Sequence, residues 1–176
     1  MSRPLYLLAM PTLYAMSGLS FSGKTVLAAE ISAATGAAIV SYDDLYGTVE
    51  RDPALTGIEE WRLIVSLVHA EARRHLQDGD SVIVDNLNED MIDRDQLRAI
   101  AAECGAETII VHVEAPLELI RERRRRNDLS RERGTTSDEQ FEFVRSKFEP
   151  PGPPERVIRY QAGEDLGRWL VALQEA

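Results

Sequence analysis

Apolar residues along the chain fall into two alternating rhythms. Short, nearly unbroken apolar runs occur at 12–16 (Thr-Leu-Tyr-Ala-Met), 37–40, 81–85 (Ser-Val-Ile-Val-Asp) and 108–113. Such runs, bounded by glycine, proline or acid, suit strands buried on both faces of a sheet. Residues 156–160 fit a last short strand. Between the runs the period lengthens. From Ile58 to Gln77 apolar positions recur at Trp61, Ile64 or Val65, Val68, Ala72 and Leu76, the spacing of a helix with one buried face. Helix formers fill 26–34, 91–104 with Gly105 as a stop, a segment from Leu117, 137–148 and 165–173. The run Pro150-Pro151-Gly152-Pro153-Pro154 forbids regular structure. Alternating strands and helices predict an α/β fold: a five-stranded parallel sheet with helices on both faces, in one domain spanning residues 1–176.

Composition narrows the class. With 44% hydrophobic and 28% charged residues, a chain of 176 residues can bury a substantial core without a second domain. Thirty acids against twenty bases give a net charge of −10, which disfavours nucleic acid as the default partner. A single cysteine, Cys104, cannot form an internal disulfide and is expected to pack, which suits a reducing, cytoplasmic location. Arg3 followed by apolar residues 5–16 looks superficially like a secretory signal. Its removal would delete the first strand, so no cleaved signal is expected, and no run reaches membrane-spanning length. A monomer or a dimer is expected. His69 and His75 stand six apart on the long helix, not at the i, i+4 spacing of two zinc ligands on one face, and read as surface or packing residues.

Chemistry enters between the first strand and the first helix. Gly18-Leu19-Ser20-Phe21-Ser22-Gly23-Lys24-Thr25 meets every fixed position of the phosphate-binding pattern G-x-x-x-x-G-K-[ST]. Backbone amides of such a loop cradle phosphates, the lysine reaches the β- and γ-phosphates, and the hydroxyl serves Mg²⁺. ATP and Mg²⁺ are therefore the expected ligands. Asp85, closing the third strand, matches an acid that holds Mg²⁺ through water, so Thr25 and Asp85 form the expected metal set. No guanine-reading Asn-Lys-x-Asp stretch occurs, and Asn86 stands where a motor-type ATPase has a water-activating glutamate. What remains is phosphoryl transfer to an acceptor hydroxyl, which needs a base and mobile cations. Asp43 and Asp44, at the C-terminal end of the second strand, offer the base, or alternatively a helix cap. Seven arginines within 121–133, against three acids, offer the cations, although one helix cannot aim all of them at one site.

These residues carry a resemblance. Gly18 to Thr25, Tyr42-Asp43-Asp44-Leu45, Val84-Asp85-Asn86-Leu87-Asn88, Arg126-Asn127 with Arg131 and Arg133-Gly134, and Phe148-Glu149-Pro150-Pro151 together resemble the small P-loop kinase group. That group includes polynucleotide kinase, chloramphenicol phosphotransferase and the zeta toxins. The resemblance covers about residues 12–160. It implies Asp43 as general base, and a lid over 117–135 in which Arg126, with Arg131 or Arg133, clamps the phosphates; Lys24, Asp43 and Arg126 are then the catalytic set. An acceptor region over 43–77 would draw contacts from Tyr42, Asp43, Asp44, Tyr46 and Trp61, with core packing an equal alternative for Trp61. Two positions depart from the group: Phe21 stands where most members have glycine, and Tyr46 where polynucleotide kinase has a phosphate-gripping arginine. The expected acceptor is a small-molecule hydroxyl. A polynucleotide 5′-hydroxyl is the alternative, and a regulatory or ATP-hydrolysing module is the alternative of another class.

Overall fold

The computed structural model describes residues 10–50, 52, 54–130, 134 and 137–175. Five strands, β1 (Thr12–Ser17), β2 (Ala38–Ser41), β3 (Val82–Asp85), β4 (Glu107–Glu114) and β5 (Val157–Gln161), form one sheet in the order β2-β3-β1-β4-β5. Every pairing is parallel. Helices α1 (Lys24–Thr35), α2 (Tyr42–Thr48), α3 (Gly57–Gln77), α4 (Met91–Glu103), α5 (Leu117–Ser130), α6 (Asp138–Lys147) and α7 (Leu166–Gln174) connect and cover it. The expected fold class holds, with the limits of the expected strands and helices shifted by a residue or two and one helix, α2, added between β2 and α3.

Pleating sends alternate side chains of each strand into two cores. Leu13, Ala15, Val82, Val84 and Ile110 pack with Val68, Ala72 and Leu76 of α3 and Leu97, Ile100 and Ala101 of α4. Tyr14, Met16, Ile83, Ile109, Val111 and Val113 pack with Leu27, Ala28 and Ile31 of α1 and Trp169 and Leu173 of α7. Cys104 is partly buried against the first core, the packing role expected of it. The long helix starts where sequence chemistry says it should. Thr56 Oγ1 accepts from the Glu59 amide while the Glu59 carboxylate accepts from the Thr56 amide, and the stripe Ile64, Val68, Ala72, Leu76 is buried. Among the described residues no helix is long and apolar enough to cross a membrane.

Strand order matters for function. The chain leaves β1 for β2, returns to lay β3 between them, and then crosses to β4 on the other side of β1. The carboxyl ends of β1 and β3 thus flank the point where the winding reverses, where open parallel sheets bind ligands.

Candidate functional site

At the end of β1 the backbone makes a turn that side chains would obstruct. Gly18 has φ 148°, and a Cβ there would lie 2.5 Å from the carbonyl oxygen of Val113. The Ser22 amide donates to Leu19 O at 3.1 Å, tightening the loop. Gly23, at φ 115°, precedes α1 with no side chain to cap it. Ser41, Thr56, Asp90, Ser137 and Asp165 cap α2, α3, α4, α6 and α7 with side-chain oxygens. The first turn of α1 has neither a side-chain cap nor an acid, so its amides and dipole are left for an external anion. Lys24 is buried and its ammonium donates to the carbonyls of Gly18 (2.8 Å) and Leu19 (3.0 Å), folded back over the loop. Thr25 is exposed in the same turn.

The segment after β3 is latched to this loop. Asn88 donates from Nδ2 to Met16 O (2.6 Å), its own carbonyl accepts from Ser17 Oγ (3.1 Å), and the Gly18 amide donates to Leu87 O (3.4 Å). Asp85 is buried at the end of β3, in register with Ser41 of β2. Because β3 lies between β1 and β2, the phosphate loop, Asp85 and residues 42–44 follow one another along the same sheet edge. The expected carboxylate pair is displaced in one respect: β2 ends at Ser41, and Asp43 and Asp44 occupy the first turn of α2. Neither is the cap, since Ser41 Oγ accepts from the Asp44 amide (3.3 Å). Both carboxylates are exposed. The rings of Tyr42 and Tyr46 stack at 6.1 Å, and burial raises the Tyr42 phenol pKa, aided by Tyr46 and the nearby Glu60 and Asp43. Trp61 is 37% exposed and lies outside the fully buried stripe of α3.

The arginines of α5 divide by face. Arg123 Nη1 donates to the loop carbonyls of Phe21 (3.0 Å) and Ser22 (2.7 Å). Arg124 is buried, pairs with Asp138 at 2.8 Å and lies 4.4 Å over the Phe141 ring, fastening α5 to α6. Arg126 is exposed and pairs with Glu122 at 2.9 Å. Arg121 and Arg125 border a separate hollow towards Asp138 and Glu142. Arg131 and Arg133 lie outside the described residues. Arg123, Arg126, Asn127 and Ser130 form one wall of a cleft of about 460 Å³ beside the phosphate loop. Phe21, Val26 and Leu27 form a second wall, and Tyr160, Gly163 and Leu166 a third. The sequence reading chose Arg126 and passed over Arg123. The i, i+3, i+4, i+7 stripe of Arg123, Arg126, Asn127 and Ser130 was the signal that could have found it.

Two buried groups brace the edge and were also missed. Arg94 of α4, 1% exposed, donates to Glu155 (2.6 and 3.3 Å), to Asn88 O (3.1 Å) and to Glu149 O (3.0 Å). It ties the proline-rich tail to the segment behind the phosphate loop. His112, in register with Ser17, stacks on Phe148 at 5.7 Å and approaches Glu114 at 3.2 Å. Burial pushes its pKa down, opposed in part by the Glu114 carboxylate.

Residues 13–151 match the family described as AAA domain. No curated protein matches the chain in sequence. Among solved structures, a candidate kinase from Chloroflexus aurantiacus is 17% identical, with a TM-score of 0.77 over 95% of this chain and 98% of that one. Chaetomium thermophilum Kti12, solved with ADP-AlF3, is 21% identical, with a TM-score of 0.76 over 93% and 98%. The Mycobacterium tuberculosis APS kinase CysC, solved with AMPPNP and APS, is 15% identical, with a TM-score of 0.69 over 94% and 96%. At these identities the likeness is one of fold.

Proposed function

We propose that this chain, which belongs to the AAA domain family and has the fold of the small P-loop kinases, transfers the γ-phosphate of ATP to a hydroxyl of a small molecule. The observation that carries this reading is the uncapped N-terminus of α1, preceded by the glycine-built loop and holding Lys24. The donors present fit a nucleoside triphosphate: amides from Leu19 to Thr25 for the phosphates, and Lys24, released from its carbonyl partners, for the β- and γ-oxygens. They also fit Mg²⁺. Among the described residues no three His, Cys, Asp or Glu side chains gather to hold an ion alone. Thr25 and, through water, Asp85 would hold it together with the phosphates. When bound, the ion supplies charge neutralisation on the phosphate oxygens.

Asp43 orients the acceptor hydroxyl and takes its proton as the new oxygen–phosphorus bond forms; the bond to the β-phosphate oxygen breaks and ADP leaves. An ionised aspartate adds about 10²–10⁴ to the rate, so positioning and charge neutralisation carry most of it. Arg123 and Arg126 line the cleft from α5 and supply positive charge, with α5 acting as a lid; the rest of the expected lid, 131–133 and 135, lies outside the described residues. Tyr42, Tyr46, Asp44 and Trp61, all at or near the α2–α3 surface, are the proposed acceptor contacts.

ATP turnover measured against a library of hydroxyl compounds tests the reading. Slow release of ADP alone, accelerated by one small-molecule class that gains a phosphate, is the expected outcome. Rapid hydrolysis that no hydroxyl accelerates would indicate the ATP-hydrolysing module instead, and acceleration by polynucleotide 5′-ends alone would indicate the polynucleotide alternative.

A further inference from the structure

Phe21 is held in a conformation that its residue type disfavours. Its φ is 65°, in the left-handed region, and it is one of two described non-glycine residues there, the other being the latch residue Asn88. Asparagine tolerates that region through its short polar side chain; a bulky aromatic residue has no such compensation. Glycine at the same place would meet the loop geometry without strain. The backbone there is also fixed from outside, because the Phe21 carbonyl accepts from Arg123. A side chain retained against the local backbone preference calls for a gain elsewhere, and Phe21 lines the cleft beside the phosphate loop.

A second aromatic ring, that of Tyr160, lines the same cleft. Tyr160 packs edge-to-face on the buried Trp169, with ring centroids 5.2 Å apart, and the Trp169 indole is itself fixed by donating to Arg159 O at 2.7 Å. Val26, exposed on α1, and Leu27 add apolar surface to the same cleft. The cleft of about 460 Å³ therefore brings the start of α1, where an anion would bind, together with the apolar side chains of Phe21, Val26, Leu27, Tyr160 and Leu166. From this lining we infer that Phe21 is a specificity-determining residue, its ring packing against the nucleoside part of the bound nucleotide in the cleft it shares with Tyr160. The inference rests on reading the cleft as the nucleotide site, and it assigns Phe21 to the nucleoside and not to the phosphates.

Binding of ATP and of inorganic tripolyphosphate to the full chain, each with Mg²⁺, separates these contributions. Phe21→Gly and Phe21→Asn both suit a positive φ and are expected to melt no lower than wild type. Both should bind ATP about tenfold more weakly, the scale of one lost base–aromatic stack. Tripolyphosphate binding should be unchanged, and Phe21→Tyr should keep wild-type ATP affinity. ATP affinity unchanged in both Gly and Asn variants would overturn the inference and leave the nucleotide reading intact. An equal loss of tripolyphosphate binding would also overturn it, by showing that Phe21 serves the loop and not the nucleoside. Wild-type protein that bound neither ligand would remove the nucleotide reading and this inference with it.

Discussion

Asp43 and Asp44 are neighbours in the first turn of α2, both exposed, and successive helical residues diverge by about 100° around the axis. They cannot both face the phosphate loop, so the proposed mechanism requires an asymmetry between them. Asp43→Asn should lower transfer by about 10²-fold or more while ATP binding persists, and Asp44→Asn should be milder. Steady-state kinetics of the two variants read this directly; the reverse order would move the base to Asp44. The same residues show where sequence reading stops. The carboxylates were visible, but whether the strand ended before or after them was not, because Ser41 was the better cap and Tyr42 fits a strand as readily as a helix. Arg123 was hidden for a related reason: in Arg123-Arg124-Arg125-Arg126 residue type carries no information, and only the helix phase decides which guanidinium meets the loop.

At the scale of elements, long-range pairings hold the site together. Arg94 and Glu155 are 61 residues apart, and their ion pair joins α4, the β3–α4 segment and the chain leading into β5. In sequence each is one charge among many on an amphipathic or proline-rich stretch, which is why neither stood out. Both side chains are almost wholly withdrawn from water. Removing one partner of such a pair leaves the other charge buried and unpaired, so Arg94→Leu should cost about 3–5 kcal/mol of unfolding free energy. Urea denaturation measures it, and a loss below about 1 kcal/mol would match a surface pair instead. The strands and most helices were legible for the opposite reason. Their signals are local: unbroken apolar runs, capping residues such as Thr56 and Ser137, and glycine stops such as Gly36 and Gly105.

Across the whole molecule, the order of the strands places the phosphate loop, Asp85 and Asp43 along one edge, and stability and function meet there. His112 sits beside that edge with its pKa lowered by burial. The folded protein therefore binds fewer protons at this group than the unfolded chain does, and stability should fall as pH drops below about 6.5, the ordinary imidazole value. Unfolding free energies of wild type and His112→Gln should converge or cross as pH falls through that range; a pH-independent difference would contradict the burial argument. In the proposed function the uncapped, glycine-built start of α1 binds nucleoside triphosphate through Lys24. Calorimetric titration of Mg²⁺-ATP into wild type and into a folded Lys24→Ala variant tests it most directly. Saturable binding in the first and none in the second is the expected result, and equal affinity in both, or no binding by wild type, would rule out this role for Lys24 and the phosphate loop.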